Sequence, residues 1–408
     1  MSDAFDLAVV GAGAAGLVAA VSAARNGATA VILERLPWSG KKLLATGGGR
    51  CNLLNENLWA SAYTSTDPGF VPSILDRIGR AEIRKFFEGL GLRLQADESG
   101  RVYPVTNQAG SVLKVLLLEI GRLGVAIENR FEVRKIDMAG GRFRVAAEDG
   151  RRVESRAVIL AGGGKSYPAL GSNGSCYALA ASFGHSVVAP VPSAVPLLAK
   201  SRMCHGLQGQ RLRVRAESRV GGRPCQKAEG ELLFTQYGLS GTAILDVSES
   251  LSVALNREGR TDASVVVDLL PFMSEQDLSG EFLRRTTGGW DAGDLVAGLL
   301  PEKFSHVLPQ LLREAGHAEG KALGRDAAGA LAASLKAMEF PVQGTRGWNE
   351  AEFTSGGVDV REVKPGTLES KLRRGLYFAG EVLDVQGGRG GFNLAWAWSS
   401  GFIAGLAE

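Results

Sequence analysis

Three features of this sequence predict an α/β fold. Residues 5–34 read as a strand, a glycine turn, a helix and a second strand. Two later stretches, 157–164 and 375–394, are apolar runs that end in glycines. Between them the texture changes, first to alternating apolar and polar residues and then to helical spacing. Together they describe a Rossmann-like domain whose chain is interrupted by an insertion that is first β and then helical.

The opening unit carries the most specific signal. Phe5 to Val10 (FDLAVV) suits a buried parallel strand, and Gly11-Ala12-Gly13-Ala14-Ala15-Gly16 follows at once. Leu17, Ala20, Val21 and Ala24 then mark one helical face, and Thr29 to Leu33 is a second strand ending at Glu34 and Arg35. This is the order a dinucleotide site requires. Gly11 permits the turn, Gly13 lets a pyrophosphate approach the backbone, and Gly16 lets helix and strand pack closely. The helix start offers N–H groups and a positive dipole end to the phosphates. Glu34 is placed to accept hydrogen bonds from a ribose.

The later runs choose the dinucleotide. Ala157 to Gly164 (AVILAGGG) is a strand leading to Gly162 and Gly163, a second backbone approach to the same ligand. Phe131-Glu132-Val133 begins a strand whose main chain can meet adenine. Gly375 to Phe378 leads to Ala379-Gly380-Glu381, and Gly387 to Leu394 opens a helix of small residues. A ligand touched from residue 11 to residue 394 is extended, which points to FAD. No second complete unit exists for NAD(P)H, so that donor, where used, binds transiently.

Composition bounds the alternatives. Of 408 residues 45% are hydrophobic and 22% charged, and the formal net charge of +3 is too even to imply nucleic acid or a membrane surface. Fifty-five glycines fall in clusters rather than triplets, as loops near a ligand do. Cys51, Cys176, Cys204 and Cys225 are scattered, and His185, His205, His306 and His317 lack metal-ligand spacing, so no metal is expected. The uncharged stretch Leu7 to Ala24 imitates a membrane signal, yet acids precede it and glycines interrupt it. The expected location is cytoplasmic.

Four segments carry a resemblance. GKKLLATGGGRCN, AGGGKSYPALGSNG, GELLFTQYGLSGTAIL and TLESKLRRGLYFAGEVLDVQGGRGGFNLAWAWSSG resemble the BaiN/YhiN family of flavoproteins, also called the aminoacetone oxidase family, in colinear order. The resemblance implies a Rossmann-like, glutathione-reductase-like FAD-binding domain interrupted by an inserted β-barrel domain and a small helical domain. It implies bound FAD and leaves the substrate open. The sequence departs from the family pattern at Gln386, Ala395, Thr242 and Ser175-Cys176.

In flavoproteins of this build the segment after the ribose acid runs toward the flavin. Gly47, Gly48 and Gly49 are then backbone lying against the cofactor. Arg50 suits a pyrophosphate or an anionic substrate, and Asn52 the flavin edge. Cys51 has two readings, a small buried spacer or a redox thiol. Lys41 and Lys42 are either solvated or in contact with phosphate, the contact falling to Lys42. Glu381 takes the place of an acid bonded to the ribityl chain. Gly391, Phe392, Asn393 and Leu394 bring a helix N-terminus to the pyrimidine edge, where reduced flavin is anionic. Trp396 and Trp398 read as packing.

Prolines 190, 192 and 196 mark the start of the insertion. Residues 211–216 (RLRVRA) alternate as a half-buried strand with an arginine face, Gly221-Gly222 is a turn, and 231–234 and 264–269 continue as strands. Ser274 with Asp277 caps a helical section, with helices at 295–300, 304–314 and 327–338 broken at Gly289, Pro301 and Gly316. Phe340-Pro341-Val342 and 351–354 read as strands returning to the first domain. The expected division is 1–188 with 342–408, a barrel at 189–272 and a helical subdomain at 273–341. The insertion is a natural substrate cap, and Tyr237 a candidate for lining it.

These observations predict an FAD-dependent oxidoreductase acting on a small organic substrate by hydride transfer. The flavin would be reduced by NAD(P)H or by an amine-type substrate. A flavin-dependent RNA-modifying enzyme and a non-catalytic redox sensor are the alternatives.

Overall fold

The computed structural model describes residues 4–314 and 323–406. His317 and the helix break expected at Gly316 lie outside the described residues. Contacts divide the chain into two units, one of residues 1–190 with 353–408 and one of residues 191–352.

The first unit is built on a seven-stranded sheet. The strands Ala126–Asn129, Ala30–Glu34, Ala4–Val10 and Arg152–Leu160 lie side by side and parallel. The last of these splits one edge between two partners. Its first half pairs antiparallel with Arg142–Ala147, and Val158 to Leu160 pair parallel with Leu376–Phe378. Apolar runs read as buried strands because both faces are covered: Ala30 to Glu34 are all buried. The helix Ala14–Arg25 packs on this sheet, and the helix Phe392–Ala404 packs on that helix.

Small residues make that helix pair possible. A Cβ on Gly401 would overlap the carbonyl oxygen of Ala15, and one on Gly405 that of Ala19. Trp396 and Trp398 are 1% exposed, and their indole N–H groups donate to the oxygens of Gly380 (3.1 Å) and Leu53 (2.9 Å). Both are core residues, as expected from sequence.

The second unit holds a seven-stranded antiparallel sheet. Its order is Met338–Pro341, Ala263–Asp268, Arg211–Val220, Arg223–Thr235, Gly238–Ser240, Leu197–Leu198, Gly344–Thr345. The two outermost strands are joined through Val342 and Gln343 alone. A trans chain advances at most about 3.8 Å per residue, so the sheet curls until its edges nearly meet. The arginine face of Arg211–Val220 is ion-paired across the hairpin: Arg211 pairs with Glu231, and Arg213 and Arg215 share Glu229.

Three expectations are corrected here. Phe340-Pro341-Val342 do not return to the first domain. Met338–Pro341 pairs with Ala263–Asp268, and the Phe340 ring meets Phe234 at 6.1 Å. The helical section is not a separate body, because Phe282, Leu308, Leu331 and Leu335 share one core with Val214, Phe234 and Val265. Residues 295–300 are not a helix but a turn after the 3-10 segment Ala292–Asp294. Buried Arg285 donates to the oxygens of Leu295 (3.1 Å) and Ala297 (2.6 Å), which the irregular chain leaves without a helical partner. Ser274 does cap its helix, accepting from Asp277 N at 3.1 Å.

The close helix pair generates a test. Gly401→Ala should destabilise the protein by roughly 1–3 kcal/mol, because overpacking against backbone outweighs the gain in helix propensity. Gly329→Ala, in a helix where a Cβ meets nothing within 4 Å, should stabilise by about 0.5–1 kcal/mol. Thermal unfolding of the two variants should move in opposite directions; shifts of the same sign would contradict this packing.

Candidate functional site

The glycine turn after the first strand has a distinct reason at each position. Gly11 has φ 106°, and a Cβ there would lie 2.7 Å from the oxygen of Ala161. A Cβ on Gly16 would overlap the oxygen of Gly11. At Gly13 a Cβ meets nothing within 4 Å. Gly11 and Gly16 are therefore demanded by the protein itself, whereas nothing in the protein forbids a side chain at Gly13. Gly13 is the N-cap of the helix, and no side chain caps it. Ala14 is half-buried and Ala15 is buried against the last helix.

Glu34 lies at the end of the second strand and is 9% exposed. Its carboxylate accepts from Ala12 N and Leu36 N, each at 2.8 Å, which locks it beside the glycine turn. Arg35 Nε donates to Gly171 O at 3.0 Å. Phe131 N donates to Glu34 O at 2.8 Å, so the segment leading to buried Val133 runs alongside the acid.

The triple glycine lies between the short helix Lys41–Ala45 and the strand Leu54–Asn55. Gly47, Gly48 and Gly49 all have positive φ (58°, 66° and 87°) and are exposed. A Cβ on Gly47 would lie 2.9 Å from Asn52 N, while Gly48 faces open space. Cys51 also has positive φ (61°), rare for a residue with a side chain, and its N–H donates to Thr46 O at 3.0 Å. Its side chain is fully buried, and burial pushes the thiol up to about 12 against a smaller opposing hydrogen bond with Thr46. A side chain with no exposed surface cannot touch a ligand. Full burial of the thiol accords with the spacer reading of Cys51 rather than with the redox-thiol one. Arg50 does not supply it with charge: the guanidinium stacks 4.9 Å over the Tyr103 ring, and Nε donates to Gly47 O at 3.2 Å.

Asn52 faces the start of the last helix. Its Oδ1 is buried without a hydrogen-bond partner, and a Cβ on Gly391 would lie 3.0 Å from it. Gly391 (φ 104°) is the N-cap of that helix, again with no side-chain cap. Tyr63 donates to Phe392 O at 2.8 Å. Asn393 is engaged within its own loop: Oδ1 accepts from Gly387 N at 2.9 Å, and Nδ2 donates to Gly387 O at 2.7 Å. Its amide pins the 387–391 turn rather than offering a free edge. Leu394 is half-buried.

A polar cluster ties these parts together. Lys42 Nζ lies 2.8 Å from both Ser166 Oγ and Glu381 Oε2. Glu381 also accepts from Thr354 N (2.9 Å), Gly164 N (3.3 Å) and Ser166 Oγ (3.3 Å). An ionised carboxylate has about four lone-pair sites, and protein donors engage those of Glu381. It is foremost a tether, and Lys42 is neutralised by it. Gly162 and Gly163 have packing reasons too, since Cβ atoms there would meet Cys176 Sγ and Ser172 Oγ. Gly380 is buried against Ala15. Among the described residues no group of His, Cys, Asp or Glu is arranged to hold a metal ion. Among them, too, no helix is long and apolar enough to cross a membrane.

Sequence reasoning missed several neighbours. Asn55, Tyr63, Arg101, Tyr103 and Thr354 border these contacts and stand in no motif, and Ser166, though inside the AGGGKSYPALGSNG segment, was not singled out. It also missed an alignment of Ser370, His185 and Glu362. His185 Nε2 is 2.7 Å from Ser370 Oγ, and Nδ1 is 3.3 Å from Glu362 Oε2. Ser370 Oγ accepts from Leu372 N and Arg373 N, so its hydrogen goes to the imidazole. With Ser370 2% exposed and burial lowering the His185 pKa against Glu362, this is a structural clasp and not a nucleophile.

An extended dinucleotide fits these residues: open space at Gly13 and Gly48, an orphaned Asn52 Oδ1, and uncapped helix starts at Gly13 and Gly391. The comparisons agree. Residues 5–407 match the family described as HI0933-like protein Rossmann domain. The chain is 37% identical over 409 residues to a 3-dehydro-bile acid delta(4,6)-reductase of Clostridium scindens, covering 98% of each. It is 30% identical over 408 residues to a ribosomal RNA dihydrouridine synthase of Haemophilus influenzae, covering 98% of this chain and 97% of that one. In fold it is similar to the 3-ketosteroid-delta4-(5alpha)-dehydrogenase of Rhodococcus jostii (TM-score 0.52, 16% identity, 99% of this chain and 96% of that chain). By this match of family and length, the chain belongs to the HI0933-like family of BaiN/YhiN-type flavoproteins, and is an FAD-dependent oxidoreductase with a Rossmann-like FAD-binding domain.

Proposed function

We propose that this enzyme reduces a carbon–carbon double bond conjugated to a carbonyl group, using electrons from NAD(P)H. The observation that carries the reading is the turn at Gly390-Gly391, where the last helix starts uncapped beside the orphaned Asn52 Oδ1. Two relatives with different substrates support it, because their printed names describe one chemistry. A delta(4,6)-reductase of a 3-dehydro-bile acid and a dihydrouridine synthase both saturate a bond conjugated to a carbonyl.

In this reading the turn 11–16 and the first helix start hold the pyrophosphate, Glu34 the ribose, and the main chain before Val133 the adenine. Gly48, Gly49 and Asn52 border the flavin from one side and Gly391 to Leu394 from the other. When bound, FAD would supply a two-electron hydride relay between donor and substrate. The helix start at Gly391 offers N–H groups and a positive dipole end to negative charge. The substrate is a small molecule. A uracil ring in RNA is the second reading, favoured by the dihydrouridine synthase relatives, but the arginines on the strand face of the second unit are already engaged in ion pairs with Glu229 and Glu231.

Three outcomes are expected. Anaerobic NADH or NADPH should bleach the flavin, and 2-cyclohexen-1-one should restore its colour faster than a uridine-rich RNA does. Bleaching by an aliphatic amine, with no reoxidation by any conjugated carbonyl compound, would refute the reading. Gly13→Val should purify without FAD yet unfold within about 1 kcal/mol of the wild-type apoprotein, the change expected at an N-cap. A fully flavinylated Gly13→Val protein would remove the pyrophosphate from this turn. The cysteines separate by exposure: Cys225 is exposed and the other three are buried. Burial pushes the Cys51 and Cys176 thiols to about 12, so at pH 8 both stay protonated. Iodoacetamide should label Cys225 alone in the native protein, as read by mass spectrometry.

A further inference from the structure

We infer that Arg101 receives the carbonyl oxygen of the substrate and the negative charge that develops on it. This rests on the reduction proposed above and names the residue that makes it work. Arg101 opens the strand Arg101–Pro104, where it stands opposite Asn55 of Leu54–Asn55. Asn55 is 6% exposed, and its Nδ2 donates to Gly390 O at 2.7 Å. A Cβ on Gly390 would lie 3.4 Å from Asn55 Nδ2 and 3.7 Å from Arg101 Nε. The guanidinium therefore lies against the side-chain-free turn that leads into the helix start at Gly391.

Exposed arginines such as Arg93, Arg130 and Arg152 also lack a partner among the described residues, but among the half-buried ones the bonding of Arg101 is unusual. Arg80 and Arg84 pair with Glu56, Arg144 with Glu154, and Arg361 with Asp359. The half-buried Arg101 guanidinium has no hydrogen bond or ion pair among the described residues. Asp97 feels its charge, but Asp97 Oδ1 accepts from Ser99 N, Ser99 Oγ and the main-chain N of Arg101. Five N–H donors and a permanent charge are thus held beside the turn without a protein acceptor.

The chemistry calls for such a group. When hydride adds to the β carbon, the π pair of the double bond moves between the α and carbonyl carbons, and the carbonyl pair moves onto oxygen. The resulting enolate oxygen accepts from the guanidinium. The α carbon then takes a proton from water, and the carbonyl re-forms, completing a two-electron reduction of the substrate at the expense of NAD(P)H. Arg101 stabilises the oxyanion without giving up a proton. Tyr63 is not the acid, because its hydroxyl already donates to Phe392 O and burial raises its pKa far above the usual range.

The test uses the FAD-loaded enzyme with Arg101→Met and Arg101→Lys. The probe is 4-nitrophenolate, an unreactive oxyanion read by its perturbation of flavin absorbance. Arg101→Met should keep its FAD, bind the phenolate at least tenfold more weakly, and slow reoxidation by 2-cyclohexen-1-one by about 10²–10³, as loss of an oxyanion donor does. Arg101→Lys should recover part of both losses. Equal phenolate binding and equal reoxidation in wild type and Arg101→Met would overturn the assignment, as would loss of FAD from both variants. The two readings fail separately. If the wild type reduces no conjugated carbonyl compound while phenolate binding still depends on Arg101, the reduction is wrong and the oxyanion site stands. If cyclohexenone is reduced equally by both proteins, the reduction stands and the Arg101 site falls.

Discussion

Gly16 has no room for a side chain because the oxygen of Gly11 occupies the place, and Gly401 and Gly405 meet the oxygens of Ala15 and Ala19 in the same way. These contacts are backbone against backbone, which does not adapt as side chains do. They fix the first helix against the strand end on one side and the last helix on the other. Everything proposed to touch the cofactor hangs from those pieces. The turn at Gly11 sets where the helix start points, and Glu34 is locked to that turn through Ala12 N. The last helix, placed by Gly401 and Gly405, carries the start at Gly391.

Side-chain hydrogen bonds extend this frame to parts of the chain far apart in sequence. Glu381 joins the short helix at Lys42, the loop at Gly164 to Ser166 and the strand that begins near Thr354. Asn393 holds the turn that precedes it, and Tyr63 anchors Phe392. A half-buried carboxylate with its lone pairs engaged by protein donors and a cation beside it acts as a strut between these loops. The residues that looked from the sequence like ligand contacts divide accordingly. Gly13, Gly48 and Asn52 face space or lack a partner, while Glu381, Lys42 and Asn393 are largely occupied in holding the loops.

What the sequence made legible follows from locality. The unit 5–34 could be read because its strand, turn and helix are neighbours in the chain, and each glycine has one local reason. The hairpin at Gly221-Gly222 was legible for the same cause. Arg101, Tyr103 and Asn55 were not, because they gain meaning only when a two-residue strand pairs with a four-residue one beneath a turn almost 300 residues later. Phe340-Pro341-Val342 was misplaced because an apolar triplet with a proline does not declare which sheet it joins. The segment 295–300 imitated a helix, since Leu295, Val296 and Leu300 are all buried, and burial without regular spacing of hydrogen bonds leaves the same apolar trace.

The two uncapped helix starts are best considered together. At Gly13, where a Cβ meets nothing within 4 Å, a Ser, Thr, Asn or Asp cap would strengthen the helix by roughly a few tenths of a kcal/mol over glycine, yet that start has no side-chain cap. At Gly391 the φ of 104° and a Cβ position 2.5 Å from Leu54 O demand glycine, and that start has no side-chain cap either. The unmet donors keep a positive dipole end at each place. Because the helices pack through Ala15 and Gly401, the two ends cannot move independently. Such a pair suits one extended ligand that is anionic in its middle and becomes anionic at one end during reaction. Arg101 adds a full charge beside the second end, where the helix contributes only a partial one. The cation at the first end is different, since Lys42 is already balanced by Glu381. The arrangement therefore leaves positive charge without a hydrogen-bonded protein acceptor on the proposed reacting side of the site, where reduced ring and enolate oxygen would both need it.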